Sequence, residues 1–177
     1  AKWVSTLAEY TVRHYQQNLD NDEYTEITAD CQTLNGTKGT QTAAAAKVYK
    51  GFEAKPFAQQ TIVEDGSTVA SIYYDRTRHT VTWLNWNGDE LGKNENVKYG
   101  AKPSFDQANP IREETGKVYI FNGWNTAQDG SGTAWDENTI VTENVTYYAQ
   151  FTDEVLSYKI TYQLNGGTNP ADAPASY

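Results

Sequence analysis

The chain has 177 residues, a formal net charge of -9 and 38% hydrophobic residues, which suits two small cores better than one large one. Its 14 Lys and Arg form no run, so it lacks the clustered basic surface that a phosphate backbone demands. No apolar window approaches the length of a membrane-spanning helix. With 13 Tyr, 5 Trp and no Met, its cores are expected to be built from rigid rings and β-branched residues, a composition that leans to β structure.

The first residues, Ala1-Lys2-Trp3, carry neither an initiator Met nor a signal-peptide pattern, and the sequence reads as a segment of a longer chain. Residues 1–9 are expected to be the end of a preceding repeat and its linker. Their Ala-polar-aromatic order returns in Ala149-Gln150-Phe151, again ahead of a linker and a new strand.

A first unit, residues 10–76, opens with the alternating strand Tyr10 to Tyr15. A polar turn over Asn18 to Glu23 and a strand near Tyr24 to Thr28 complete a hairpin. Leu34 to Gly39 reads as a Gly-bearing turn, and Ala43 to Lys47 is the one stretch with helical propensity. Tyr49-Lys50-Gly51-Phe52 sets Gly before a large ring. Thr61-Ile62-Val63, Asp65-Gly66 and Thr68 to Tyr74 read as a closing hairpin.

A second unit, residues 77–153, opens with Thr80-Val81-Thr82-Trp83 and turns at Asn87-Gly88-Asp89, a strong hairpin signal. Val97 to Gly100 is a short strand, and Pro103 and Pro110 preclude a long helix between them. Val118 to Trp124 alternates as a half-buried strand, with Asn122-Gly123 giving a bend or bulge before Trp124, the expected core anchor. Asn144 to Phe151 closes the unit. Residues 154–177 are expected to be a linker and the first strand of a further, truncated unit, since Tyr158 to Tyr162 and Asn165-Gly166-Gly167 restart the pattern of Val81 to Trp83 and Asn87-Gly88-Asp89.

Residues 79–153 resemble the internalin-type B-repeat, or Listeria-Bacteroides repeat. The resemblance rests on Thr80 to Trp83, Asn87-Gly88, Tyr99-Gly100, Pro103, Pro110, Phe121-Asn122-Gly123-Trp124, Gly130, Gly132, Trp135 and Tyr148-Ala149-Gln150-Phe151. Asp89 stands where that family has a second Gly, and Phe151 where it often has Trp. Residues 10–76 are similar to the mucin-binding-protein (MucBP) repeat, a looser match through Val12 to Tyr15, Leu34-Asn35-Gly36, Gly39, Tyr49 to Phe52, Asp65 to Val69 and Ile72-Tyr73-Tyr74. Both resemblances imply mostly β modules of the β-grasp, ubiquitin-like type, α+β with little helix. Two small tandem domains in an extended arrangement are the expectation. They further imply a non-enzymatic, extracellular repeat segment of a bacterial surface protein, a stalk that presents other domains. Its expected partners are neighbouring repeats of the same chain, with no cofactor, nucleic acid or membrane insertion. The alternative is an adhesion module for a glycan or glycoprotein such as mucin.

No catalytic, cofactor or metal site is expected. His14 and His79 sit in or beside strands and outside any nucleophile motif, and read as packing or surface residues. Adjacent Glu113 and Glu114 face opposite ways on an extended chain. Asp20 to Glu23 lacks the spacing of a calcium loop and reads as a charged hairpin tip, with calcium as the alternative. Asp129-Gly130-Ser131-Gly132 lacks the Lys and helix of a phosphate cradle. Cys31, the lone cysteine, rules out an internal disulfide and reads as a small buried hydrophobe, with a reactive or intermolecular thiol as the alternative. Trp83 and Trp86, three apart on a strand, point to opposite faces. Trp83 shares a face with Val81 and is inward, which makes Trp86 the candidate ligand contact, a ring that could stack on a sugar. A Lys-Asn amide crosslink remains an alternative that no sequence pattern locates.

Overall fold

The computed structural model describes residues 6–154 and, beyond them, 160–161, 166–168, 171–172 and 174. The expected strand end at Ala1 to Trp3 and most of the expected third unit lie outside these residues. Among the described residues ten strands form two five-stranded sheets, and the one helical element is a 3-10 turn at Thr28–Asp30. The protein is thus mostly β and built on two small sheets.

In the first sheet, β1 (Leu7–Gln17) lies beside β5 (Thr68–Arg76) in parallel, with Tyr10 opposite Thr68 and Gln16 opposite Tyr74. The other edge of β1 is shared by β3 (Gln32–Thr37) along its first half and β2 (Tyr24–Glu26) along its end, both antiparallel. β4 (Phe52–Ala54) covers the far side of β5. The period of two in β1 turns Ala8, Tyr10, Val12 and His14 inward, where they meet Ala70, Ile72 and Tyr74 of β5. On the opposite face Tyr15 stacks on Tyr73 at 4.8 Å, and Tyr24 meets Tyr73 edge-on at 5.1 Å.

Parallel strands need a long crossover, and residues 38–67 supply it without a helix. Ala43 to Lys47, expected to have helical propensity, is irregular because its amides are claimed by side chains of other elements. Ala43 N–H donates to the Tyr10 hydroxyl (3.2 Å), Ala44 N–H to Gln59 Oε1 (2.9 Å) and Lys47 N–H to the Tyr74 hydroxyl (2.9 Å). A run of five residues cannot nucleate a helix against such partners. Gln59 also donates to the Ala44 carbonyl at 2.8 Å, so one amide side chain satisfies both backbone groups of Ala44.

Three further expectations shift. Leu34 to Thr37 is strand, paired to β1, and only the residues that follow turn. Thr61 to Val63 forms no hairpin with β5; Thr61 bridges Gln41 and β5 pairs with β1 and β4, because the parallel partner offers the longer apolar ladder. β1 begins at Leu7, so the strand takes in residues ahead of Tyr10.

The second sheet runs in the order β7-β6-β10-β9-β8, from β6 (Arg78–Leu84), β7 (Glu90–Lys98), β8 (Glu113–Glu114), β9 (Lys117–Asn125) and β10 (Val145–Glu154). Gly88, at φ +93°, makes the expected β6–β7 turn. The β9–β10 pairing slips by one between Ala149 and Phe151, opposite Asn122-Gly123, where Gly123 has φ +96°. That bulge lets β9 put both Trp124 and Asn125 on buried positions. Trp83 is the centre of the core, with ring centroids 5.0 Å from Trp124, 5.1 Å from Tyr147, 5.6 Å from Trp135 and 5.7 Å from Phe105.

By compactness, residues up to 81 with 93–104 and 137–145 form one unit, and 82–92, 105–136 and the residues from 146 form the other. This division does not follow the sheets, since the end of β7 is fastened within the first unit. There Arg76 Nη1 donates to the Tyr99 carbonyl (2.9 Å) and Arg76 Nε to the Gln17 carbonyl (2.9 Å). Gly51, at φ +81°, lies against the Tyr99 ring so closely that a Cβ would stand 2.2 Å from it. Gly51 and Gly123 share the left-handed conformation but serve different ends: close approach in one case, a strand bulge in the other. Gly51→Ala is expected to cost about 1–2 kcal/mol from the backbone alone, with the ring clash added, seen as a lower urea midpoint.

Candidate functional site

The residues with the most functional chemistry in one place lie on the β8–β9 hairpin and the end of β6. Two-residue β8 pairs with the start of β9 through Glu113 opposite Val118 and Glu114 opposite Lys117, and Gly116 (φ +81°) closes the turn. Trp86 follows β6, half-buried, in a turn held by Asn85 and Asp89: Asn85 N–H donates to the Asp89 carbonyl at 2.7 Å and Trp86 N–H to Asn85 Oδ1 at 2.9 Å. Gln128 donates to the Trp86 carbonyl at 2.7 Å, which fixes the ring's backbone from a second loop.

Arg112 joins the two parts. Its guanidinium lies 4.3 Å from the Trp86 ring centroid and 3.9 Å from that of Tyr119, a cation held between two aromatic faces. Glu114 sits among three donors: the Tyr119 hydroxyl (2.6 Å), Lys117 Nζ (2.9 Å) and Arg112 Nη2 (3.5 Å). The hydrogen bonds from Tyr119 and Lys117, with the nearby cations, push the Glu114 carboxyl down to about 2. An open cavity of about 640 Å³ has Arg112, Glu113, Glu114, Lys117 and Tyr119 in its lining, together with the well exposed Ile111. Chemically this can stack and donate hydrogen bonds, while its cations are already paired with Glu114. A carboxylate so firmly ionised is a poor general acid or base at neutral pH.

Trp86 is therefore not a free ring: one face is taken by Arg112. Sequence reasoning singled out Trp86 and missed Arg112 and Tyr119. Their signal is present only as an Arg and a Tyr seven apart across a Gly turn, which a hairpin brings together.

The other candidates are placed as follows. His14 is fully buried, with Nδ1 2.8 Å from the Tyr74 hydroxyl, and is out of reach of a substrate. His79 Nε2 lies 2.9 Å from Thr77 Oγ1. Asp129 accepts from Ser131 N–H (3.0 Å) and hydroxyl (2.6 Å), and Asn125 Nδ2 donates to the Gly130 and Gly132 carbonyls, so the Gly-rich loop is closed on itself. Cys31 is exposed, not buried, because it follows the 3-10 turn at the start of an edge strand. Lys102 Nζ donates to Asn138 Oδ1 at 3.0 Å in an exposed setting. Among the described residues no group of three or more His, Cys, Asp or Glu is placed to hold a metal, and no helix is long and apolar enough to cross a membrane.

Residues 79–150 match the family model of the Listeria-Bacteroides repeat domain, which spans nearly all of the second sheet and leaves the first outside it. A Gly-rich membrane protein of Evansella cellulosilytica is 40% identical over 62 residues, 33% of this chain, and the chain spans only 7% of that protein's length. The solved structure of Streptococcal High Identity Repeats in Tandem (SHIRT) domains 3-4 from a cell surface protein matches 83% of this chain and 99% of its own, at 14% identity and a TM-score of 0.30.

Proposed function

We propose that this chain is a non-enzymatic repeat segment of an extracellular bacterial surface protein, a spacer that presents other domains, with neighbouring repeats as its contacts. The match of residues 79–150 to a repeat family carries this reading. Two features of the fold support it. The parallel β1–β5 pair at the centre of the first sheet is the arrangement a β-grasp module requires, which favours a repeat of that type, MucBP-like, for residues 10–76 as well. The charged groups are also paired within their own clusters: Glu114 with Arg112, Lys117 and Tyr119, and Asp30 with Lys47 and Tyr49. Small-angle scattering tests the spacer: an elongated profile is expected, and a globular one overturns it.

A second reading, adhesion to a glycan or glycoprotein such as mucin, is favoured by the aromatic and cationic side chains around the cavity at Arg112 and Tyr119. It predicts that binding to a mucin and glycan panel drops at least about tenfold in Trp86→Ala, a loss in the range of a removed aromatic anchor. Binding unaffected by that substitution, or no binding at high protein concentration, returns the site to a purely structural role.

A further inference from the structure

The polar turn between β1 and β2 has an internal ligand. Three of its donors bond locally: Asn18 N–H to the Glu23 carbonyl (2.8 Å), and Asn18 Nδ2 (3.1 Å) and Glu23 N–H (2.9 Å) to Asn21 Oδ1. Thr25 Oγ1 donates to Asn18 Oδ1 at 2.7 Å, which holds the Asn18 side chain in place. What the turn presents is oxygen. The carbonyls of Asn18, Leu19 and Asn21 converge on Lys98 Nζ at 3.2, 3.3 and 2.6 Å, and the Lys98 side chain is only 13% exposed.

An ammonium has three donors, and here three carbonyls receive them. The acidic side chains contribute less. Asp22 Oδ1 is 3.2 Å from Lys98 Nζ, but its side chain is 82% exposed, it also accepts from Gln17 Nε2 (3.0 Å), and Arg78 stands 3.8 Å away. A charge pair so open to water is worth little, whereas hydrogen bonds to a shielded cation are among the strong ones. Both the turn and Lys98 belong to the first compact unit, and this contact helps to explain why the end of β7 belongs there.

We propose that residues 18–23 form a cation-binding cup whose resident cation is the Lys98 ammonium, with backbone carbonyls rather than the carboxylates doing the binding. The oxygens that converge in this turn are backbone carbonyls, and a tethered Lys occupies them. Lys98 acts on the turn as a positioning residue, because its ammonium orders the carbonyls that it touches.

Amide hydrogen exchange followed by NMR tests this in the whole chain, for Lys98→Met, Lys98→Arg and Asp22→Asn. Lys98→Met is expected to speed exchange in residues 18–23 at least about tenfold while the β1–β5 amides stay protected, which also shows that the variant folds. Lys98→Arg should expose the turn similarly, since a planar guanidinium cannot point three donors into one cup. Asp22→Asn should change exchange by less than about twofold. Unchanged exchange in Lys98→Met, a loss in Asp22→Asn equal to that of Lys98→Met, or full protection in Lys98→Arg overturns the proposal. Movement of the wild-type turn resonances on adding millimolar Ca²⁺ does so too, because it would show a metal displacing the Lys.

Discussion

Trp83→Ala unfolds the second sheet and leaves the first folded. Trp83 is 1% exposed and its ring meets those of Trp124, Tyr147, Trp135 and Phe105 at 5.0–5.7 Å. A buried Trp covers roughly 200 Å², worth about 5 kcal/mol at 25 cal/mol per Å², and replacement by Ala in a core costs about 3–5 kcal/mol. That is most of the stability of a small domain. Collapse absorbs little of the loss, because the four partner rings come from β9, β10, the β7–β8 connection and the β9–β10 loop, and β9 and β10 are held by their own pairing. Trp124→Ala, at 5% exposure and with Trp83, Phe105 and Phe121 as ring partners, should act in the same direction.

The first core consists of Ala8, Tyr10, Val12, Ala44, Ile62, Ala70, Ile72 and Tyr74, with no contribution from the Trp83 cluster. Urea unfolding of Trp83→Ala should therefore lose Trp fluorescence changes early and keep a Tyr near-ultraviolet circular dichroism transition at the wild-type midpoint. Loss of both signals together would contradict modular folding.

The strands of the second sheet were legible because they carry their signals locally. Thr80 to Trp83 alternates, Asn87-Gly88 demands φ > 0, and Asn122-Gly123 marks a bulge that the pairing slip at Ala149–Phe151 confirms. The inward Trp83 followed from its phase with Val81. The first sheet was harder, because a parallel pair as distant in sequence as Tyr10 and Thr68 leaves no local signature and the crossover depends on distant partners. Ala43 to Lys47 shows this most directly: its composition favours a helix, while Tyr10, Gln59 and Tyr74 take its amides.

The candidate site was half legible. A single ring, Trp86, can be singled out by strand phase, but the cation between two rings needs Arg112 and Tyr119 to arrive from either side of a hairpin. The Lys98 cup was less legible still, since backbone carbonyls have no sequence signature. Acidic residues drew attention to the turn for a reason that the geometry replaces.

Stability of the first sheet is expected to fall as pH drops below about 6.5, ahead of the carboxylate range, because of His14. Its imidazole is 0% exposed, with Nδ1 bonded to the Tyr74 hydroxyl and Nε2 without a hydrogen-bond partner. A protonated ring carries two N–H donors, so protonation would leave one of them buried without an acceptor. Burial, and then the nearby Lys47 ammonium, hold its pKa below the ordinary 6.5, with Asp30 opposing them in part. Asp30 is itself kept low by hydrogen bonds from Lys47 and Tyr49, and so remains charged through this window.

The direction follows from proton counts. Below about 6.5 the unfolded chain binds a proton at His14 that the folded chain refuses, so stability rises with pH through this range. The contribution is complete above the unfolded pKa and is lost as pH falls through the folded one. Each unit of depression is worth about 1.4 kcal/mol. Urea midpoints for the Tyr signal, measured from pH 7.5 to 5, should decline in the wild type. In His14→Phe, which keeps a ring in the core and cannot titrate, the decline should vanish even though the loss of the Tyr74 bond lowers the midpoint overall. An equal decline in that variant would place the proton elsewhere and remove His14 as the cause.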